Sequence, residues 1–352
     1  MRNKIVKFGL FGLGAVVEAR VKNIFLKELK SSKVMAVFDK DLKKNKKYSK
    51  IFKCSFSENS REFFKKDFDI CYISTDSGSH FQNILECFNN NKHVVVEKPP
   101  VLKVDQLIKL NNISINKKLK FFVIYQNRKN KAVQFTKNYL EKNKKEKIVL
   151  VNLKLLWCRK QSYYSRWHGK WKSDGGVLAQ QGIHYIDLLC YFFGKPLKAI
   201  GNMENVSNKL QAEDTHAGLI KFQRANCTFG LSTALRPNDD GASIEIFLQK
   251  RVIILHGICC NKITIRNYDN KYKTKYKRIS EQNYQKVKSG VGISHYNFFE
   301  EIIENFQKKT KISPLRAIET IDTLKLINML YKSSEKKNWI QNAKIIKSRL
   351  GN

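Results

Sequence analysis

Apolar positions in the first third of the chain gather into short runs separated by stretches with helical spacing. Residues 4–11 (Lys-Ile-Val-Lys-Phe-Gly-Leu-Phe), 34–38 (Val-Met-Ala-Val-Phe), 70–74 (Ile-Cys-Tyr-Ile-Ser), 93–96 and 120–124 read as strands. A helix-like stretch follows Gly14 to about Lys30, and others cover Ser60 to Lys66, Phe81 to Asn90 and Val104 to Asn112. Strands alternating with helices at this spacing predict βαβ units and a parallel sheet, and right-handed crossovers make it doubly wound.

Past residue 125 the pattern changes. Val149 to Leu156, Ala199 to Met203, Ala217 to Phe222, Cys227 to Thr233, Ser243 to Leu248 and Val252 to Leu255 are strand-like with few helices between them. They predict a large, mostly antiparallel open sheet. Helical stretches flank it at Lys131 to Asn143, Gly182 to Phe193, His295 to Gln307 and Pro314 to Ser334. The polar, basic stretch Lys271 to Lys288 reads as an exposed excursion. The expected fold class is α/β: a doubly wound domain over 1–124 and an α+β domain over 125–352. The Pro314 to Ser334 helix is expected to pack back on the first domain.

At 352 residues, 42% of them hydrophobic, the chain can build two cores. No apolar run reaches the ~18 residues of a membrane span. The amino terminus enters a strand pattern with no apolar leader, and the eight cysteines are scattered without metal-ligand spacing. A cytoplasmic chain with reduced thiols and no metal is expected. The net charge of +37 raises the question of nucleic acid. Its excess is nearly all lysine, spread from end to end, whereas a nucleic-acid face would cluster charge and use more arginine. No specific nucleic-acid partner is expected; an anionic small molecule is favoured.

The strand ends carry the chemistry. Gly12-Leu13-Gly14 follows the first strand and opens a helix, so Gly12 permits a tight turn and Gly14 lets the backbone approach a pyrophosphate at the helix start. Val17 stands where the third glycine of the usual pattern would be, which predicts looser helix–strand packing. Asp39 closes the second strand, 25 residues past Gly14. A carboxylate there accepts from a ribose 2′-hydroxyl and repels a 2′-phosphate, which favours NAD over NADP, although Lys40 beside it tolerates phosphate. Ser74-Thr75-Asp76-Ser77-Gly78-Ser79-His80 is a small polar loop at the third strand end. Val94-Val95-Val96-Glu97-Lys98-Pro99-Pro100 ends a strand on an ionisable pair and two prolines, which halt the ladder and leave Glu97 and Lys98 where open α/β sheets bind ligands. The Lys98–Pro99 bond is one that can be cis.

These pieces, in this order and spacing, resemble the glucose–fructose oxidoreductase / inositol dehydrogenase / MocA family. The second half resembles it too, in Asp174-Gly175-Gly176-Val177-Leu178-Ala179-Gln180-Gln181-Gly182-Ile183-His184-Tyr185-Ile186-Asp187 and in Glu213-Asp214-Thr215. Tyr125-Gln126-Asn127-Arg128, Tyr163-Tyr164 to Trp171 and Leu235-Arg236-Pro237 look like the branch containing UDP-N-acetylglucosaminuronate 3-dehydrogenases. One departure is Gln180, where the family usually has Asp, or Asn in this branch. The resemblance implies that Gly12, Leu13, Gly14, Ala15, Val16, Asp39, Thr75, His80, Glu97, Lys98 and Gln126 hold NAD.

Oxidising a sugar hydroxyl requires a base near neutral pKa, and His184 is the natural choice. Lys98 is expected to donate to the same oxygen and stabilise the developing alkoxide. Asp187, three residues past His184 on one helical face, is expected to touch the sugar or bias the imidazole. Residues 157–173 interleave rings and cations; from them Tyr164, Arg166 and Trp167, with Gln180, Gln181 and Arg236, are the candidate substrate contacts. The expectation is an NAD-dependent oxidoreductase acting on a sugar or UDP-sugar, a homo-oligomer of two or four copies, in surface-polysaccharide sugar synthesis. Two alternatives stay open: a catalytically silent NAD-binding sensor or scaffold, and an NADPH-dependent keto-sugar reductase.

Overall fold

The computed structural model describes residues 5–268, 274–280, 294–308, 310 and 313–352. The chain forms two compact units: Met1–Val101, Asp105–Tyr125 and His295–Glu319 make the first, and Leu102–Val104, Gln126–Ser294 and Thr320–Asn352 the second.

Among the described residues the first unit is built on six strands: β1 (Val6–Phe11), β2 (Ser32–Phe38), β3 (Ser55–Phe56), β4 (Ile70–Ile73), β5 (His93–Glu97) and β6 (Phe121–Ile124). Their spatial order is β3-β2-β1-β4-β5-β6 and every pairing is parallel. The order reverses between β1 and β4, so the loops after these strands flank the switch point where such sheets bind ligands. β4 and β6 are buried at every residue, as a sheet covered on both faces requires. Gly9 in β1 has no room for a side chain: an added Cβ would lie 2.7 Å from the Phe63 ring.

The chain is helical from Ala15 to Glu28, with wide i→i+5 winding over Val17–Val21 and Ile24–Glu28. The widening starts at Val17, which is fully buried at the missing glycine's position. A helix over Leu42–Phe52 escapes the apolar pattern because five of its eleven residues are lysines and its inward face is Asn45, Tyr48 and Phe52. The Ser294–Phe306 helix contributes Phe298, Phe299, Ile302 and Ile303 to the core around Phe8 and Tyr72. Each such side chain stabilises the unit by roughly 1.5–3 kcal/mol.

Among the described residues the second unit carries nine strands: β7 (Ile148–Leu156), β8 (Pro196–Glu204), β9 (Thr215–Phe222), β10 (Asn226–Ser232), β11 (Gly241–Leu248), β12 (Arg251–His256), β13 (Lys262–Tyr268), β14 (Thr274–Ser280) and β15 (Ile340–Gln341). They lie in the order β14-β13-β12-β11-β7-β10-β9-β8-β15, antiparallel except for the parallel β7–β10 pair. β11 shows the period of two: Ala242, Ile244, Ile246 and Leu248 are buried, while Ser243, Glu245 and Phe247 are half-exposed on the other face. Helices Lys131–Lys142, Ile183–Phe193 and Ile321–Lys336 complete the unit.

Two expectations need correction. The helix expected over Pro314 to Ser334 starts at Ile321, after a turn at Ala317–Thr320, and belongs to the second unit; the returning segment of the first unit is His295–Glu319. Within the expected excursion Lys271 to Lys288, residues 274–280 are strand β14 and the rest lies outside the described residues.

Candidate functional site

At the end of β1 the β4 loop leaves no room for a side chain on Gly12. Gly12 has φ +93°, and a Cβ there would stand 2.8 Å from the Ser74 carbonyl carbon and the Thr75 nitrogen. Gly14 is open, with only the Ser74 carbonyl oxygen at 3.8 Å, and its own carbonyl accepts from Val17 and Glu18 N–H to start the helix. Ala15 is exposed, Val16 is half-exposed and Leu13 is buried. The first N–H groups of a helix lack partners within it, so this turn suits a phosphate. Ser74 Oγ braces it by donating to the Gly12 carbonyl at 2.8 Å.

Asp39 Oδ2 accepts the Leu13 N–H at 2.8 Å and Oδ1 accepts the Asp41 N–H at 3.0 Å. Lys44 lies 3.6 Å away. A carboxylate has about four acceptor sites, so Asp39 keeps capacity for ribose hydroxyls. These features fit a dinucleotide.

Thr75 Oγ1 accepts from Asn83 at 2.8 Å. His80 is fully buried; Nδ1 is 2.8 Å from the Pro99 carbonyl and Nε2 3.3 Å from the Thr75 carbonyl. Burial lowers its pKa against those contacts, so the ring is neutral at pH 7. A neutral ring carries one N–H, and donation from Nδ1 to the closer Pro99 carbonyl ties the helix start after β4 to the loop after β5. Glu97 is buried and accepts from Tyr72 at 2.8 Å, with His295 Nε2 at 3.5 Å. Burial alone would raise this carboxyl, but His295, Tyr72 and Lys98 hold it below the usual range. Lys98 follows, half-buried, and its bond to Pro99 is cis.

In the second unit the glycine-rich run rests on a buried polar cluster. Leu178 N–H donates to Glu213 Oε1 at 3.0 Å, Tyr331 donates to the same oxygen at 3.0 Å, and the Gly176 N–H donates to the Tyr331 hydroxyl at 3.1 Å. A Cβ on Gly176 would fall 2.1 Å from the Glu213 carbonyl oxygen, so only glycine lets the run approach this closely. From there the helix winds widely over Leu178–Gly182 and continues over Ile183–Phe193. Over residues 178–190 only Gln180 and His184 are half-exposed; the rest are buried. They stand at i and i+4 and form a polar spot on one face.

Asp187 does not share that spot. Its side chain is 1% exposed, both oxygens are 2.7 Å from Arg128 nitrogens, and Thr323 donates to Oδ1 at 2.8 Å. The expected substrate contact is therefore corrected: the carboxylate is a buried bidentate anchor that ties the helix to its neighbours. Tyr164 is likewise turned inward, its hydroxyl 2.7 Å from Thr233 Oγ1 and its pKa pushed up by burial to about 12. Arg236 donates through both terminal nitrogens to the Thr233, Leu235 and Arg159 carbonyls and to Asn208, which makes it a loop brace. Its bond to Pro237 is also cis.

The remaining candidates divide. Arg166 is exposed and Trp167 half-exposed. Gln181 is buried with no partner for its amide nitrogen, and Gln126 is buried with none for its amide oxygen. Tyr163 meets the polar spot, its hydroxyl accepting from Gln180 at 2.7 Å. Sequence reasoning placed Tyr163 in the aromatic stretch without a role; its neighbour Tyr164 looked equivalent. No group of three or more metal-ligating side chains occurs among the described residues, and no described helix is long and apolar enough to cross a membrane.

Residues 6–125 match the family model described as the oxidoreductase family NAD-binding Rossmann fold, and residues 137–341 match its C-terminal alpha/beta domain. The chain belongs to the Gfo/Idh/MocA oxidoreductase family. The WlbA dehydrogenase from Bordetella pertussis, solved with NADH and UDP-GlcNAcA, superposes with a TM-score of 0.84 at 21% identity, covering 97% of this chain and 99% of that one. The scyllo-inositol 2-dehydrogenase (NADP(+)) IolW of Bacillus subtilis is 22% identical over 77% of this chain and 78% of its own length. Oxidoreductase P35 of Formosa agariphila is 24% identical, and the match spans 54% of this chain and 61% of that protein.

Proposed function

We propose that this family member is an NAD-dependent dehydrogenase that moves a hydride between nicotinamide and a hydroxyl-bearing carbon of a sugar or nucleotide sugar, in the synthesis of surface-polysaccharide sugars. The observation that carries the reading is the polar spot: a helix otherwise buried from 178 to 190 presents His184 one turn after Gln180. The similarity to a dehydrogenase solved with UDP-GlcNAcA supports a nucleotide-sugar substrate.

Bound NAD supplies the hydride acceptor. Gly12, Leu13, Gly14, Ala15, Val16, Asp39 and Thr75 would hold it, with Glu97 and Gln126 as further candidate contacts. Lys98 places positive charge on the oxygen of the reacting carbon, and His184 takes that oxygen's proton. Asp187 positions the helix through Arg128. The deciding measurement is a screen of UDP-linked amino sugars and uronates with NAD, following absorbance of the reduced nicotinamide. Oxidation of at least one is expected. NAD binding with no sugar oxidised would instead favour the silent sensor, the reading to which Gln180 and the wide turn at Val17 point.

Asp39 makes the cofactor preference testable, since IolW uses NADP(+). A 2′-phosphate beside an anchored carboxylate is repelled, so NAD is expected to bind at least ~10-fold more tightly than NADP, about 1.4 kcal/mol. Asp39→Ala is expected to shrink that ratio below about threefold. Titrations showing equal affinity in the parent would reverse the assignment and support the NADPH-dependent reductase.

The reading also includes a second copy. Leu150 and Leu219 are 37% and 44% exposed on β7 and β9. We expect another copy to cover this side of the sheet, giving a dimer or tetramer. Sedimentation as a monomer at micromolar concentration would rule it out.

A further inference from the structure

Residues 157–174 hold an imidazole–carboxylate pair to which the reading above assigns no task. His168 Nδ1 lies 2.7 Å from Asp174 Oδ2, and the other Asp174 oxygen accepts the Gly169 N–H at 2.9 Å. The Asp174 side chain is 1% exposed, whereas that of His168 keeps 17%. Two rings confine the imidazole: Tyr163 stacks on it at 4.4 Å with planes 7° apart, and Trp167 lies at 3.8 Å with planes 36° apart. Tyr163 in turn accepts from Gln180, one turn before His184. The Arg159 guanidinium lies over Trp157 at 4.9 Å and Tyr163 at 5.9 Å, with its charge met by Asp239.

A structural account covers only part of this arrangement. Asp174 holds the loop through the Gly169 N–H, so the loop does not need an imidazole for its shape. The ring itself is fixed in direction by one carboxylate and two aromatic neighbours. In a neutral imidazole, donation from Nδ1 to Asp174 makes Nε2 an acceptor. Nε2 meets no hydrogen-bonding partner among the described residues. An acceptor oriented by a buried carboxylate is pre-organised, so a ligand hydroxyl meeting it has little further ordering to impose.

We propose that His168 is a specificity-determining residue whose Nε2 accepts a hydrogen bond from a hydroxyl of the sugar; the assignment rests on the sugar-dehydrogenase reading. Asp174 and Tyr163 are its positioning residues. A site built to meet a hydroxyl loses affinity when that partner is removed, and the loss falls on binding and leaves the chemical step intact.

The test is calorimetric binding of UDP-GlcNAcA, glucose 6-phosphate and scyllo-inositol to the NAD-loaded parent, His168→Phe and His168→Asn, with NADH formation followed in parallel. His168→Phe keeps the stacking; His168→Asn keeps an N–H for Asp174 but withdraws the acceptor, and serves if the first variant folds poorly. Both are expected to bind the preferred sugar at least ~10-fold more weakly, to raise KM by a similar factor and to hold kcat within about threefold. An unchanged sugar Kd in a folded variant, an equal fall in kcat and kcat/KM with KM unmoved, or a parent that binds none of the three sugars overturns the proposal. A parent that binds a sugar without reducing NAD sinks the dehydrogenase reading alone, and the variants' Kd values still decide the role of His168.

Discussion

Replacing Lys98 by Met is expected to lower kcat/KM by about 10²–10³-fold while NAD affinity stays within about threefold, because one preorganised cationic donor at a developing oxyanion contributes roughly 2.7–4 kcal/mol. Methionine keeps the unbranched apolar stem that a half-buried lysine packs against its surroundings. It removes the charge alone. The variant should fold normally, since the buried supports behind this position are Glu97, Tyr72 and His295, none of which is altered. The effect should fall on kcat more than on KM, as it does when an interaction is made mainly in the transition state. Steady-state rates, equilibrium NAD titration and a thermal melt together separate this outcome from misfolding. Full turnover in a folded Lys98→Met protein would remove the lysine from the chemistry.

Much of the doubly wound unit was legible because its signals are local. Strand period, the Gly12-Leu13-Gly14 turn and the Glu97-Lys98-Pro99 stop each need only a few consecutive residues. The elements that escaped were those whose apolar content is thin. The lysine-rich Leu42–Phe52 helix is announced by its cap, with the Asp41 side chain accepting the Lys43 N–H at 3.0 Å, more than by any stripe. β13 carries Ile263 and Ile265 in alternation, a signal that was present but short.

The candidate site was legible in composition and less so in orientation. Gln180 and His184 were each named as candidates, and the structure leaves both half-exposed on one helix. Asp187 is only three residues further along, yet its partners Arg128 and Thr323 come from distant parts of the chain. No spacing rule reveals that a carboxylate on the same helix points into a buried ion pair. The same limit applies to Tyr163 and Tyr164: adjacent residues in one turn, one reaching Gln180 and the other Thr233. Which of two neighbouring rings turns inward is settled by the sheet beneath them.

Replacing His184 by Asn is expected to lower kcat/KM by about 10²–10⁴-fold at pH 7, the range over which general bases contribute. Asparagine holds a similar volume on the helix but cannot take a proton. The surrounding helix is anchored elsewhere, by Glu213 and Tyr331 at its start and by the Arg128–Asp187 pair one turn on, so the fold should survive. The pH profile carries the decisive distinction. An imidazole base works only when neutral, so the parent's kcat/KM should fall as pH drops through the titration of that ring and level off above it. In His184→Asn that acid limb should vanish and leave a low, flat rate with no inflection there. His80 cannot mimic the limb, because burial lowers its pKa and its ring nitrogens face the Pro99 and Thr75 carbonyls. His168 can be separated by the same experiment: its variants should keep the acid limb in kcat and change KM. A parent profile without an acid limb, or an Asn variant that keeps one of the same depth, would assign the proton transfer to another group.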